Sequence, residues 1–318
     1  MSKENVILAF DTSNYTTSIA LLGESGEIIA NIKRLLSVKV GERGLRQSDA
    51  VFNHTVNIPE LMKEVETALD GRKIVAVGVS EKPRNREDSY MPCFLVGVAC
   101  AKSVASSLGV PLFRFSHQCG HIMAAILSSG AESLLCSPFA AFHVSGGTTE
   151  LVRVKAEEDA FDCELLGGTN DLNAGQVIDR IGVYMGLGFP AGAEMERLAL
   201  LCNNTVPKKK ISQSGLSVNL SGLENLAKAL YDESGDKSLT AAFVFDYIGR
   251  ALVALSEKYE EMFGQSSFVY AGGVMSNSII KNMLSGRFRA YFAEPRLSSD
   301  NAVGVAALTL RAYKRENI

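Results

Sequence analysis

At 318 residues the chain is long enough for two domains of ordinary size, each able to bury its own core. Hydrophobic residues make up 47% and charged residues 21%, a balance that excludes a disordered chain. The formal net charge of -3 excludes a global basic field, so a nucleic-acid partner needs a local patch or a second protein to supply positive charge.

The opening MSKENVILAF runs into a short apolar strand without the longer hydrophobic core of a signal peptide. Residues 6–22 (VILAFDTSNYTTSIALL) read as a hairpin: an apolar run, a polar tip, then a second β-branched run. Apolar residues at helical spacing predict a helix over 58–69. A strand at 74–79 precedes a charged, proline-punctuated surface loop at 81–92, placed to serve as a lid or a partner contact. The small-residue apolar run 95–108 suits a helix buried against a sheet. Residues 139–154 (FAAFHVSGGTTELVRV) repeat the order of the first hairpin, and the separation of the two is about one domain, which predicts a duplication.

Farther on, helices are predicted over 176–185 and 194–201, parted by a glycine- and proline-bearing loop at 186–192. Residues 205–217, with Lys208, Lys209 and Lys210, read as a solvated basic loop in preference to a nucleic-acid contact, because the run is short. A helix near 240–263, a strand at 267–271 and helices from 276 and from 302 complete the chain. Six scattered cysteines include no C-x-x-C pair and suggest no disulfide framework. No stretch approaches the roughly 18 apolar residues of a membrane span, so the cytoplasm, away from membranes, is the expected location.

Two hairpin tips carry the first chemical signal. Ser145-Gly146-Gly147-Thr148 offers hydroxyls and a stretch of backbone without side chains, so its N–H groups can approach a phosphate closely. Asp11-Thr12-Ser13 is its counterpart in the first half. Ala271-Gly272-Gly273-Val274 follows a strand and leads into a helix, where free N–H groups favour anions or polar rings. It is not G-x-G-x-x-G, which disfavours a dinucleotide site of that kind.

His117 and His121 stand four residues apart, a spacing that on a helix puts both imidazoles on one face as a metal site requires. The zinc-protease signature needs a glutamate directly after the first histidine. Gln118 stands there, and the protease reading fails on its own chemistry. A metal needs an anionic third ligand from elsewhere; Asp300 is one candidate, with a helix N-cap as its alternative role. Asp179, an acid in an apolar helical stretch, either pairs with a neighbouring base or accepts from the hydroxyls of a sugar.

Taken together, these residues resemble the TsaD-type tRNA threonylcarbamoyl-adenosine synthases, once labelled O-sialoglycoprotein endopeptidases. HQCGH (117–121) is similar to that family's HxEGH metal motif, and HVSGGTTELV (143–152) to its VSGGHTxL stretch. NAGQVIDR (173–180) with GFPAG (188–192) resembles AGEAFDK and YPGG, and NLSGLENLA (219–227) resembles FSFSGLKT. AGGVMSN (271–277) and SSDNA (298–302) match AGGVxxN and xxDNG, and all occur in the family's order.

The resemblance implies an α/β protein of the actin-like ATPase (ASKHA) fold, with two RNase-H-like lobes around a ligand cleft. It implies an N-terminal lobe of residues 1–128, to which segment 298–318 returns, and a C-terminal lobe of residues 129–297. A divalent iron or zinc ion is implied on His117, His121 and Asp300. Threonylcarbamoyl-adenylate or an adenine nucleotide is implied at Val144, Ser145, Gly146, Gly147, Thr148, Asp179, Gly192 and Asn277, beside the Gly272-Gly273 turn. The implied reaction moves a threonylcarbamoyl group from its adenylate to the exocyclic amine of a tRNA adenosine. Accessory proteins of tRNA modification are the implied partners.

This chain also departs from the family pattern. The two central acids of ETSCDET become Tyr15 and Thr16, the glutamate of HxEGH becomes Cys119, that of AGEAFDK becomes Gln176, and the histidine of VSGGH becomes Thr148. A Gly-Pro-Gly turn is replaced by the longer loop 80–92. Losing a working acid or base commonly costs about two to four orders of magnitude in rate. Two expectations therefore stand side by side: a transferase of this type, and a catalytically impaired paralogue acting as a nucleotide- and metal-binding regulatory or partner protein.

Overall fold

The computed structural model describes residues 4–13, 15–36, 45–86, 88–158 and 160–317; Asn14 of the first tip and Glu87 of the 81–92 loop lie outside them. The chain forms two compact units, one of Met1–Leu127, Ala156–Asp162 and Ser299–Ile318, the other of Ser128–Lys155 and Cys163–Ser298.

The first unit begins with strands β1 (Val6–Asp11), β2 (Thr16–Gly23) and β3 (Ile28–Leu35), then α1 (Gln47–Leu69), β4 (Ile74–Lys82), α2 (Phe94–Leu108), β5 (Leu112–Ser116) and α3 (His117–Ser129). The sheet order is β3-β2-β1-β4-β5, with β1, β2 and β3 antiparallel and β1, β4 and β5 parallel. Every residue of β1 is buried, as in a strand covered on both faces. Val77 and Val79 join Leu61, Val65, Ala101 and Ala105 of α1 and α2 in one core. Gly78 between them points to the other face, where the last helix of the chain lies so close that a Cβ would fall 1.9 Å from Thr309 Oγ1.

The second unit contains β6 (Phe139–Val144), β7 (Thr149–Ala156), β8 (Phe161–Thr169), α4 (Ala174–Tyr184), α5 (Gly192–Leu200), β9 (Ser212–Ser214), β10 (Ser217–Asn219) and α6 (Ser221–Ser234). There follow α7 (Lys237–Phe263), β11 (Ser267–Ala271), α8 (Ser278–Ser285), β12 (Arg289–Phe292) and α9 (Pro295–Ser298), before α10 (Val303–Glu316) returns to the first unit. The order β12-β11-β6-β7-β8-β10-β9 contains the first sheet's pattern again: an antiparallel hairpin, a third strand beside it, and two parallel strands on the other side. Phe142, Tyr270 and Phe292 stack across the three parallel strands at 5.1 Å between ring centroids, and the Tyr270 hydroxyl meets Ser256 Oγ at 2.9 Å.

Helix α7 is long and apolar enough to cross a membrane by length and composition, contrary to the expectation that no stretch would be. It is the core helix of its unit, with 72% of that apolar window buried inside the protein. The 205–217 segment is also more structured than a solvated loop. It carries β9 and runs into β10 to form an edge hairpin, and Lys208 pairs with Asp246, while Tyr247 and Arg250 donate to the carbonyls of Lys210 and Lys209.

Helix α1 starts at Gln47, well before the expected 58, and runs through Pro59. Its buried stripe is Ala50, His54, Ile58, Leu61 and Val65, and the polar His54 within that stripe hides the apolar period. The Thr17 hydroxyl accepts from Asn57 Nδ2 at 3.0 Å and meets His54 Nδ1 at 2.8 Å, tying α1 to the start of β2. Burial pushes the His54 pKa down to about 4, against the pull of the Asp11 carboxylate. The unfolded chain therefore binds the extra proton between about pH 6.5 and 4 while the folded chain does not. The stabilising contribution of neutral His54 is complete above pH 6.5 and is lost as pH falls towards 4. Urea unfolding should show the first unit losing up to about 3 kcal/mol over that window, and His54→Gln should flatten the dependence.

Candidate metal centre and ligand pocket

In the first unit, α3 carries His117 and His121 on one face, with ring centroids 4.3 Å apart. Asp300 comes from the turn before α10, and its Oδ1 lies 3.1 Å from His121 Nε2 and 3.6 Å from His117 Nε2. The ligand atoms of the three residues all lie within 4.8 Å of one another. Backbone packing produces this convergence: a Cβ on Gly304 would fall 1.8 Å from Gly120 O, so α3 and α10 can cross this closely only with a glycine at position 304. Asp300 does not cap α10. Asn301 Oδ1 accepts from Val303 N at 3.0 Å, and Ser18 Oγ accepts from Ala302 N at 2.8 Å, which leaves the Asp300 carboxylate to the histidines.

On the far side of the His117 ring, Nδ1 donates to Asp11 Oδ2 at 2.7 Å. Asp11 is buried at the end of β1, where its Oδ1 accepts from Ser13 N at 2.9 Å and Ser80 Oγ at 2.8 Å. Burial alone disfavours charge on all of these groups, but the carboxylates outweigh it and push the His117 pKa up to about 10. Burial likewise opposes charge on Asp11 and Asp300, yet the neighbouring imidazoles hold both below the usual carboxylate range. The donor set fits a divalent metal: two imidazole nitrogens, one carboxylate, and a hydrogen-bonded acid behind one ring. Sequence reasoning missed this place for Asp11. No local signal marks it, because its partners His117 and Ser80 lie 106 and 69 positions along the chain.

Two of the family departures do not subtract from this centre. Cys119 lies about 200° around the helix from His117; its Sγ lies 3.5 Å from Phe161 O and accepts from Asn85 Nδ2 at 3.4 Å. It therefore holds the 80–92 loop, which is further fixed by Gln118 N donating to Pro83 O at 3.0 Å. Gln176 completes a capping box at the start of α4, its Oε1 accepting from Asn173 N at 3.2 Å, a role open to glutamine and glutamate alike. The first tip also turns inward. Thr12 Oγ1 donates to Cys93 O at 3.0 Å and accepts from Gly97 N at 3.1 Å, so this hydroxyl binds the protein itself.

The second unit contains a cavity of about 320 Å³ lined by Gly146, Asp179, Gly192, Gly273 and Asn277, together with Gly175, Glu196 and Phe245. At the β6–β7 tip, Ser145 N donates to Thr148 O at 2.7 Å, and Ser145 Oγ accepts from Gly147 N and Thr148 N. The N-terminus of α4 packs on this tip so closely that a Cβ on Gly175 would lie 2.6 Å from Gly146 N. Asn277 Oδ1 caps α8 by accepting from Ile280 N at 3.0 Å, while its buried Nδ2 has no partner. Asp179 Oδ1 accepts from Ala191 N at 2.8 Å, and burial raises its pKa. Its partner here is a backbone amide, and the side chain lines the cavity.

Val144, Ser145, Gly147, Thr148 and Gly272 do not line this cavity. Val144 sits in the core, and Gly272 packs against its carbonyl. Glu196, which sequence reasoning passed over, stands one helical turn after Gly192 on α5 and accepts from Ser278 N at 2.8 Å and Ser278 Oγ at 2.6 Å.

HypF from T. kodakarensis matches 99% of this chain at a TM-score of 0.64 and 12% identity, with 48% of that chain covered. The activator of the 2-hydroxyisocaproyl-CoA dehydratase from Clostridium difficile, solved with bound ADPNP, matches 99% at a TM-score of 0.53 and 13% identity, with 98% of that chain covered. With the repeated sheet order, these likenesses define an α/β protein of the actin-like ATPase fold. Residues 28–307 match the TsaD family model, tRNA N6-adenosine threonylcarbamoyltransferase. A relative of that name from Streptococcus suis (strain 05ZYH33) is 30% identical over 339 residues, which cover 100% of this chain and 95% of the relative. The chain belongs to the TsaD family. The family match begins beyond the first hairpin, where Tyr15 and Thr16 replace acids.

Proposed function

We propose that this chain transfers a threonylcarbamoyl group from its adenylate to the exocyclic amine of a tRNA adenosine, in the cytoplasm and with accessory proteins of tRNA modification. The observation that carries this reading is the convergence of His117, His121 and Asp300, drawn from two motifs some 180 residues apart, within 4.8 Å. A structural role alone does not call for two imidazoles and a carboxylate aimed at one point beside the surface.

His117, His121 and Asp300 would hold iron or zinc, which when bound supplies Lewis acidity to a substrate carbonyl or phosphoryl oxygen. The rest of the work falls to the chain's own groups. The unpartnered Nδ2 of Asn277 donates to the ligand in the 320 Å³ cavity. Asp179 and Glu196 each keep one oxygen for ribose hydroxyls, having committed the other to the protein. Gly146, Gly192 and Gly273 let the backbone approach the ligand without side chains in the way.

The test supplies metal-replete protein with threonylcarbamoyl-adenylate, tRNA and candidate accessory proteins, and follows AMP release together with the modified nucleoside. AMP release coupled to nucleoside formation supports the proposal; binding of the adenylate without turnover sinks it. That second outcome belongs to the impaired-paralogue reading, which Tyr15 and Thr16 favour. Thr16 is buried at the start of β2 and Tyr15 is 40% exposed, and neither can supply the charge of the acids they replace.

A further inference from the structure

Asp11 lies outside the three-residue cluster, yet it is the group that holds one of its members in place. His117 Nδ1 donates to Asp11 Oδ2 at 2.7 Å, closer than Asp300 comes to either imidazole, and this fixes the ring so that Nε2 faces Asp300. The acid is itself held rigidly. It ends β1, its side chain is 2% exposed, and its second oxygen accepts from Ser80 on the neighbouring β4 and from Ser13 N in the first tip. A carboxylate hydrogen-bonded behind a ligating imidazole sets which nitrogen bears the proton and makes the other a stronger donor to a metal.

We infer that Asp11 is a positioning residue: it presents His117 Nε2 to the metal and links that centre to the first hairpin tip through Ser13. This rests on the proposed metal site, and it assigns Asp11 a task separate from binding the metal itself. Because one carboxylate serves the ring and the tip together, a change in the set of the His117 ring is transmitted to the backbone at residue 13 through a single side chain.

The full-length protein is titrated with Co(II), reading both affinity and the visible absorption of the ion, for the wild type, Asp11→Asn, Ser80→Ala and His121→Ala. Asp11→Asn is expected to weaken binding by about 10- to 100-fold and to alter the spectrum. Ser80→Ala should lose less, in the same direction, because the carboxylate remains. A merely structural role for Asp11 would lower the thermal midpoint of the metal-free protein and leave affinity and spectrum of the folded protein unchanged, which overturns the inference. If Asp11→Asn does not fold, Ser80→Ala decides, and wild-type affinity in that variant overturns it. Equal binding by the wild type and His121→Ala overturns the metal site, and this inference with it.

Discussion

Changing Asp300 to alanine is expected to abolish metal binding and to cut threonylcarbamoyl transfer by about two to four orders of magnitude, the several kcal/mol that a Lewis-acidic ion supplies to a developing negative charge. The size follows from the charge balance of the centre. Asp300 is the only anion among the three ligands, so its loss leaves two imidazoles and no charge to offset a divalent ion. The fold should tolerate the change, because Asn301 and Ser18 hold the start of α10 and His117 keeps its ion pair with Asp11. Elemental analysis of the purified variant and single-turnover AMP release check both halves. Wild-type turnover in a variant free of metal would remove the ion from the reaction.

The parts of this architecture that were legible in the sequence are those written in local pattern. The two hairpins could be read because strand, polar tip and strand follow each other within about twenty residues, and the matching sheet orders agree with the duplication they suggested. His117 and His121 could be read because a helix converts a spacing of four into a shared face. What was illegible depends on partners far away in sequence. Asp11 meets His117 across 106 positions and Ser80 across 69, and an acid at a strand end carries no mark of either. Strand β3, β8 and β12 went unread because each is half-exposed, so alternation against solvent does not stand out.

The exchanges from the family pattern show the same limit in the opposite direction. Read along the sequence, Cys119 and Gln176 look like acids lost from a reactive centre. In three dimensions one turns away from His117 to support a loop, and the other caps a helix as a glutamate would. The weight of the departures then rests on the hairpin tips, on Tyr15 and Thr16 in the first and Thr148 in the second. It is there, and not at the histidines, that the transferase and impaired-paralogue readings divide.

Replacing Gly272 by alanine should destabilise the second unit by about 3 to 5 kcal/mol. Two costs combine. At φ 99° and ψ 158° the residue occupies a region that is essentially open only to glycine, worth about 1–3 kcal/mol of strain for any other residue. A Cβ there would also lie 2.3 Å from Val144 O and 2.7 Å from its carbonyl carbon, backbone atoms of a central strand that cannot swing aside, adding overpacking of about 1–3 kcal/mol. The neighbouring Gly273→Ala separates stability from binding. Its Cβ would meet nothing within 4 Å, yet the residue lines the cavity, so urea unfolding should be close to wild type while affinity for the adenylate falls. If both variants unfold alike, the contrast between a strained turn and an open one is wrong. If Gly273→Ala binds the adenylate as tightly as the wild type, the ligand does not approach the end of β11, and the cavity of the second unit is not where it sits.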